Sequence, residues 1–189
     1  ILIRPIRPED AAPLHAVFGL LGPAEVRAGI CGGQDALDEV AAMNLARPNP
    51  KTELVLVGAE PLPPGEAMIE GLARARIVPG TRQAEYAILL GGHVAGLGLG
   101  RHLMQKLVKW SRGRYLDRLY GDTPSHNTPM LELAASMGFK PSNEPRVPPG
   151  LTRLVQTGHL YWYALVMLLG VFGLLTWQLW PALSGMAGH

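Results

Sequence analysis

The sequence predicts an α+β domain joined to one C-terminal transmembrane helix. Three observations carry that reading. A strand-to-helix opening leads into antiparallel strands punctuated by prolines, and these give way to a glycine-rich turn that runs into a helix. Every Lys, Arg, Asp and Glu lies at or before Arg153, so the last 36 residues hold no formal charge apart from what His159 and His189 take up. Residues 160–180 read LYWYALVMLLGVFGLLTWQLW, an uncharged apolar run. At 189 residues the chain suffices for one ordinary domain and an appendage. The division falls between residues 1–155 and 156–189.

In chain order, LIRPIRPED reads as a short strand leading to a helix capped by Asp10, with Leu14, Val17, Phe18 and Leu21 at helical spacing. Pro23 starts a second helical piece that Gly32 and Gly33 interrupt, and Asp35 to Leu45 forms another helix before the turn ARPNP. Glu53 to Gly58 and Ala67 to Ile77 form an antiparallel pair around PLPPG, and Ala84 to Leu90 is the next strand. GGHVAGLGLG then feeds RHLMQKLVKWSRGR, whose Leu103, Met104, Leu107 and Val108 form an apolar helical stripe. Leu116 to Tyr120 reads as a strand, GDTPSHN as a turn, and Pro129 to Met137 as a helix stopped by Gly138. Phe139 packs back after that stop, and Leu151 to Val155 adds a final strand.

Composition narrows the chemistry. Seventeen Lys and Arg against 15 Asp and Glu leave a net charge of +2, far from the basic excess that non-specific nucleic-acid binding needs. Cys31 is the only cysteine, which excludes an internal disulfide framework and multi-cysteine metal sites. It has no evident base partner and reads as a helix contact. The six histidines form no HExxH or closely spaced ligand set, so no catalytic metal is expected. The glycine turn is the informative feature: unpaired backbone N–H groups and the dipole of the following helix can hold a phosphate or pyrophosphate without a metal. The same glycines could merely permit close packing or a tight turn. The pattern is neither a Rossmann opening, since the preceding strands are antiparallel, nor a Walker loop, which ends in GK[ST].

As a helix, residues 160–180 span roughly 30 Å, the hydrocarbon thickness of a bilayer. Tyr161, Trp162 and Tyr163 stand at one boundary and Trp177 and Trp180 at the other, and Pro181 ends the segment. A buried core helix would be shorter and keep some polar face. Lys140, Arg146 and Arg153 precede the run and nothing basic follows it, which places the large domain in the cytoplasm and His189 outside. The expectation is a single-pass anchor in the inner membrane; a signal peptide would be N-terminal.

IRPIRPED, AEYAILL, AGLGLGRHLM and NTPMLELAASMGF, in this order, resemble the GNAT superfamily of acetyl-CoA-dependent N-acetyltransferases, and most nearly the acetyltransferase domain of bacterial Pat-type protein-lysine acetyltransferases. The resemblance covers about residues 2–155. It implies a mixed, mainly antiparallel sheet flanked by helices and splayed beside the glycine loop. It also implies that the coenzyme A pyrophosphate sits on the helix beginning near Arg101. Ala95, Gly96, Leu97, Gly98, Leu99, Gly100 and Arg101 fall on the pyrophosphate loop, Asn127 on the coenzyme-contacting asparagine, and Leu90 on the strand end whose amides stabilise the oxyanion. Glu85 falls on the general base, and an acceptor ammonium must lose a proton before its nitrogen attacks the thioester. Otherwise Glu85 is a strand carboxylate pairing with Arg74, Arg76 or Arg82, Asn127 is a helix cap, and Arg101 is a surface residue. The sequence departs from the family at Ala95, usually Gln or Arg, at Leu97, commonly basic, and at Ala134, where a tyrosine often serves as leaving-group acid. Ser136 or water would then protonate the thiolate.

Two functions follow. One is a membrane-tethered N-acetyltransferase acting on a protein lysine or another amine. The other is a degenerate acetyltransferase fold serving as accessory subunit of a larger membrane complex, photosynthetic or energy-transducing. Its helix would dock through Gly170 and Gly173, whose small size permits close approach. GLLTWQLWP also resembles the aromatic exit of light-harvesting antenna helices, with Gly173 where their pigment-ligating histidine stands. His159 reads as an interfacial histidine rather than a pigment ligand.

Overall fold

The computed structural model describes residues 1–21, 30, 37–94, 96–144, 147–157 and 172. The chain divides into two units, Ile1–Thr157 and Gly158–His189. Among the described residues no helix is long and apolar enough to cross a membrane. The predicted span at 160–180 lies outside them, Phe172 apart, as do Cys31, His159 and, Ile30 apart, the helical piece from Pro23.

The first unit is built on a seven-stranded sheet. Its strands are β1 (Leu2–Pro5), β2 (Glu53–Ala59), β3 (Ile69–Ile77), β4 (Gln83–Leu90), β5 (Arg118–Pro124), β6 (Lys140–Ser142) and β7 (Leu151–Thr157). The α-helices whose bounds fall among the described residues are α1 (Ala11–Val17), α2 (Glu39–Leu45), α3 (Leu99–Gly113) and α4 (Thr128–Ser136). Strand order is β1-β2-β3-β4-β5-β7-β6, and every pair is antiparallel except β4 with β5. That parallel pair runs for three rungs, Gln83 to Arg118, Ala84 to Leu119 and Glu85 to Tyr120. Both strands continue beyond it, β4 to Leu90 and β5 to Pro124, so the sheet opens there.

Strand side chains alternate between faces, and each face has its own core. Ala84, Tyr86 and Ile88 of β4 pack with Leu103, Met104 and Leu107 of α3, with Phe139, and with Leu119 and Leu154. Leu89 of β4 and Val55, Val57 and Leu72 pack with Leu14, Phe18, Leu45 and Ile30 on the opposite side. The glycine turn lies at the end of β4 because α3 must cross back over the sheet to reach β5, the right-handed route for a parallel connection.

Several boundaries differ from the sequence reading, each for a physical reason. Asp10 does not cap α1; it is fully buried and accepts from Arg4 at 2.6 and 2.8 Å, from Arg7 N at 2.8 Å and from Gly65 N at 3.3 Å. Phe18 to Leu20 tighten into a 3₁₀ turn instead of extending α1. The helix expected from Asp35 starts at Glu39, where the Asp38 carboxylate accepts from Ala41 N at 2.6 Å. Gly121 to Pro124, expected as turn, are strand, because β7 pairs with them from Leu154 back to Leu151. The three-residue β6 was missed; it is too short to carry a period and exists through its pairing with β7.

Candidate active site

The site assembles where β4 and β5 part, next to the N-terminus of α3. Gly96 and Gly98 adopt φ of +84° and +82°, a left-handed conformation that disfavours any other residue. A Cβ on Gly96 would meet nothing within 4 Å, and one on Gly98 only His102 Nδ1 at 4.0 Å, so it is the backbone conformation and not crowding that calls for glycine there. The Leu97 amide is bonded to Val94 O at 3.2 Å, and the first helical bond runs from His102 N to Gly98 O at 3.2 Å. The amides of Gly98, Leu99, Gly100 and Arg101 have no partner among the described residues. This is the free donor set a helix start provides, and it fits a diphosphate. Ala95 lies outside the described residues.

Leu99 differs from expectation. Its side chain is buried, 5% exposed, and enters a dent formed by Gly58 and Gly71, which face each other on β2 and β3. A Cβ would lie 2.7 Å from Leu99 Cδ1 at Gly58 and 2.9 Å from Cδ2 at Gly71. Leu99 therefore anchors the loop and offers a ligand only its amide. Leu90, half-buried, closes the same packing, its methyl 3.1 Å from the Cβ position of Gly100. Leu97 is 71% exposed, and Arg101 is exposed and donates to Ser136 Oγ at 3.3 Å.

Glu85 stands on the last shared rung, between Arg76 of β3 and Tyr120 of β5. It is half-buried, and it forms no ion pair among the described residues. Two of the three arginines that could have neutralised it are otherwise engaged: Arg74 with Glu53 at 3.0 Å and Arg82 with Asp117 at 3.1 Å. Arg74, Arg76, Glu85, Tyr86 and Ala87 line a half-open recess of about 10 Å³, the size of one water. On the same sheet face a cavity of about 310 Å³ is lined by Ile30, Leu37, Ala41, Asn44, Leu45, Glu53 and Arg74, and Arg74 borders both.

Sequence reasoning missed the polar cluster beside Glu85. Arg153 donates to both Asp122 oxygens at 2.8 Å and to Glu144 at 3.2 Å, and Arg118 also pairs with Glu144. The two guanidinium carbons lie 4.9 and 5.2 Å from the Tyr120 ring centroid. Burial raises the Tyr120 hydroxyl above its ordinary pKa; the Glu85 and Asp122 carboxylates add to this, while Arg153 and Arg118 oppose it. Alternation of Arg118, Tyr120 and Asp122 along β5 was the available signal; the stretch 121–124, read as turn, hid it.

Asn127 caps α4, its Oδ1 accepting from Met130 N at 3.2 Å. Ala134 is fully buried in the α3 side core, and the Ser136 hydroxyl donates to Leu133 O at 2.7 Å, which occupies its proton. Among the described residues no group of three or more His, Cys, Asp or Glu side chains could hold a metal.

The model of the acetyltransferase (GNAT) family matches residues 38–139, more than half of the chain. The chain belongs to this family. Solved structures share its fold at low identity. The GNAT domain of Streptomyces lividans PAT superposes with a TM-score of 0.65 at 16% identity, covering 82% of this chain and 89% of that one. A ribosomal-protein-alanine N-acetyltransferase from Brucella melitensis gives 0.62 at 21% identity, covering 83% and 99%. The yncA protein of Salmonella typhimurium, solved with its cofactor acetyl-CoA, gives 0.62 at 20% identity, covering 82% and 92%.

Proposed function

We propose that this GNAT-family chain is an acetyl-CoA-dependent N-acetyltransferase of Pat type, tethered to the inner membrane by residues 160–180. Its first unit would face the cytoplasm and its C-terminus would lie outside. The observation that carries the catalytic reading is the set of amides from Gly98 to Arg101, unpartnered among the described residues, at the opening between β4 and β5, on whose last shared rung Glu85 stands. Bound acetyl-CoA supplies an activated acyl thioester. The amides from Gly98 to Arg101 hold its diphosphate, and Asn127 offers its side-chain amide nitrogen. Glu85 takes the proton from the acceptor ammonium, directly or through the single water its recess admits, and the freed amine attacks the carbonyl carbon. Amides at the end of β4, near Leu90, stabilise the negative charge that develops on the carbonyl oxygen. The nitrogen gives up its second proton to solvent as the carbon–sulfur bond breaks, and solvent also protonates the thiolate, because the Ser136 proton is committed and Ala134 has none to give. No covalent enzyme intermediate is required.

The acceptor is a protein lysine or another amine, entering along the 310 Å³ cavity toward Arg74 and Glu85. A volume of this size suits one side chain or a small amine. Isothermal calorimetry of the purified chain with acetyl-CoA tests the reading: saturable heat supports it, and none at millimolar ligand ends it.

A second reading is favoured by the exposed Leu97 and the buried Ala134, which remove a cation and an acid from the site. In it the chain is a catalytically silent subunit of a membrane complex, held by the 160–180 segment. Extraction in mild detergent as a monomer without a stable partner counts against it.

A further inference from the structure

We propose that the solvent face of α3 docks onto anionic lipid headgroups. The proposal rests on the bilayer-anchored reading of residues 160–180. Arg101, Lys106, Lys109 and Arg112 are all exposed and fall within an arc of about 140° on the helix, along roughly 16 Å of its length. Among the described residues none enters an ion pair, and the only side-chain bond any of them makes there is that from Arg101 to Ser136. An ordinary solvated helix mixes signs at i,i+4 spacing, yet residues 99–116 contain no Asp or Glu. With residues 99–114 set aside, the rest of the chain holds 12 basic against 15 acidic residues. The positive charge is thus concentrated on one straight face of a mildly acidic chain.

Buried Leu103, Met104, Leu107 and Val108 fix the opposite side of α3 to the sheet, so the cationic arc is held rigidly outward. Arg114, at the helix end, is excluded from the arc by its bonds to the carbonyls of Pro50 and Lys51. A rigid row of unpaired cations matches the negative surface of a cytoplasmic leaflet, where each contributes about fivefold in affinity. Nucleic acid would also attract it, but the uncharged, aromatic-bounded run at 160–180 makes a membrane surface the counterpart that is always close.

The four lysines of the chain give an internal control, since Lys106 and Lys109 lie on the face and Lys51 and Lys140 off it, all exposed. The full chain is mixed with phosphatidylcholine vesicles, with or without phosphatidylglycerol, and pulsed with an amine-reactive reagent. The expected result is about fivefold or greater slowing at Lys106 and Lys109, relative to Lys51 and Lys140, on the anionic vesicles at low salt. It vanishes near 1 M salt, where the Debye length falls to about 3 Å. The Lys109→Glu, Arg112→Glu variant keeps its melting temperature and loses the protection at Lys106. Flotation with pure phosphatidylcholine vesicles reports the anchor separately. A chain that floats yet labels uniformly overturns the α3 proposal and leaves the anchor standing, whereas protection without flotation supports the face and removes the anchor. Uniform labelling in a chain that does not float overturns both. Protection by poly(U) with none on anionic vesicles overturns it too, assigning the face to nucleic acid.

Discussion

Leu99 and Gly58 form a knob and a dent whose coupling can be measured. Adding a methyl at Gly58 places it 2.7 Å from Leu99 Cδ1 and 3.1 Å from Cδ2, against the 3.5 to 4.0 Å at which carbon atoms rest. Gly58→Ala therefore overpacks the contact at about 1–3 kcal/mol. Leu99→Ala removes a buried side chain and leaves a void at about 2–5 kcal/mol, or roughly 5–15 °C in Tm for a chain of this size. The double variant should cost at least about 1 kcal/mol less than the two singles added, because the new methyl enters the space Leu99 vacates. Thermal melts of the full chain in detergent, read by near-ultraviolet circular dichroism, measure all four corners of the cycle. Additivity within about 0.5 kcal/mol would show that the dent does not hold the loop, and the anchoring role given to Leu99 would be wrong.

Three further outcomes follow from the site and its supports. Glu85→Gln should lower kcat about 10²- to 10⁴-fold while leaving acetyl-CoA affinity within twofold, measured by thiol release and calorimetry; equal loss in both would make Glu85 structural. Gly98→Ala forces a side chain into a φ of +82° and strains the loop that presents the amides of α3, so acetyl-CoA binding should weaken at least tenfold with a Tm loss of a few degrees. Burial alone would raise the Asp10 carboxyl, but bonds from Arg4, Arg7 N and Gly65 N outweigh it and hold it below the usual range. A depressed folded value means that this stabilisation is complete above about pH 4 and is lost as pH falls through the lowered value. Asp10→Asn should cost about 3 kcal/mol at pH 7, by leaving Arg4 uncompensated, and should flatten the acid limb of a Tm-against-pH curve.

Much of the fold was legible because its signals are local. The apolar stretches of β2 to β4 between their proline and glycine turns, the 3.6-residue stripe of α3 and the glycine turn before it all lie within single stretches of chain. What stayed hidden depends on distant partners. β6 has three residues and no pattern of its own, and the β5-β7-β6 order places a later strand before an earlier one. Asp10 looked like a cap because the sequence cannot show that Arg4 and Gly65 converge on it. The glycine loop was legible as a donor array, but the burial of Leu99 was not, since Gly58 and Gly71 are 41 and 28 residues away. Tyr120 and its two arginines were missed for the same reason, as Arg153 arrives on another strand.

The parallel seam between β4 and β5 is three rungs long, and among the described residues it is the only ladder joining the four-stranded half of the sheet to the three-stranded half. Its continuation is held by an aromatic wedge rather than by backbone bonds: the Tyr86 ring lies across Gly121, where any Cβ would stand 2.8 Å from it, and meets Phe139 edge-on at 5.4 Å. A guest lying in the gap acts as a surrogate strand. Its contacts would add to the core that already bridges the two halves, so occupancy of the gap would raise the stability of the folded unit.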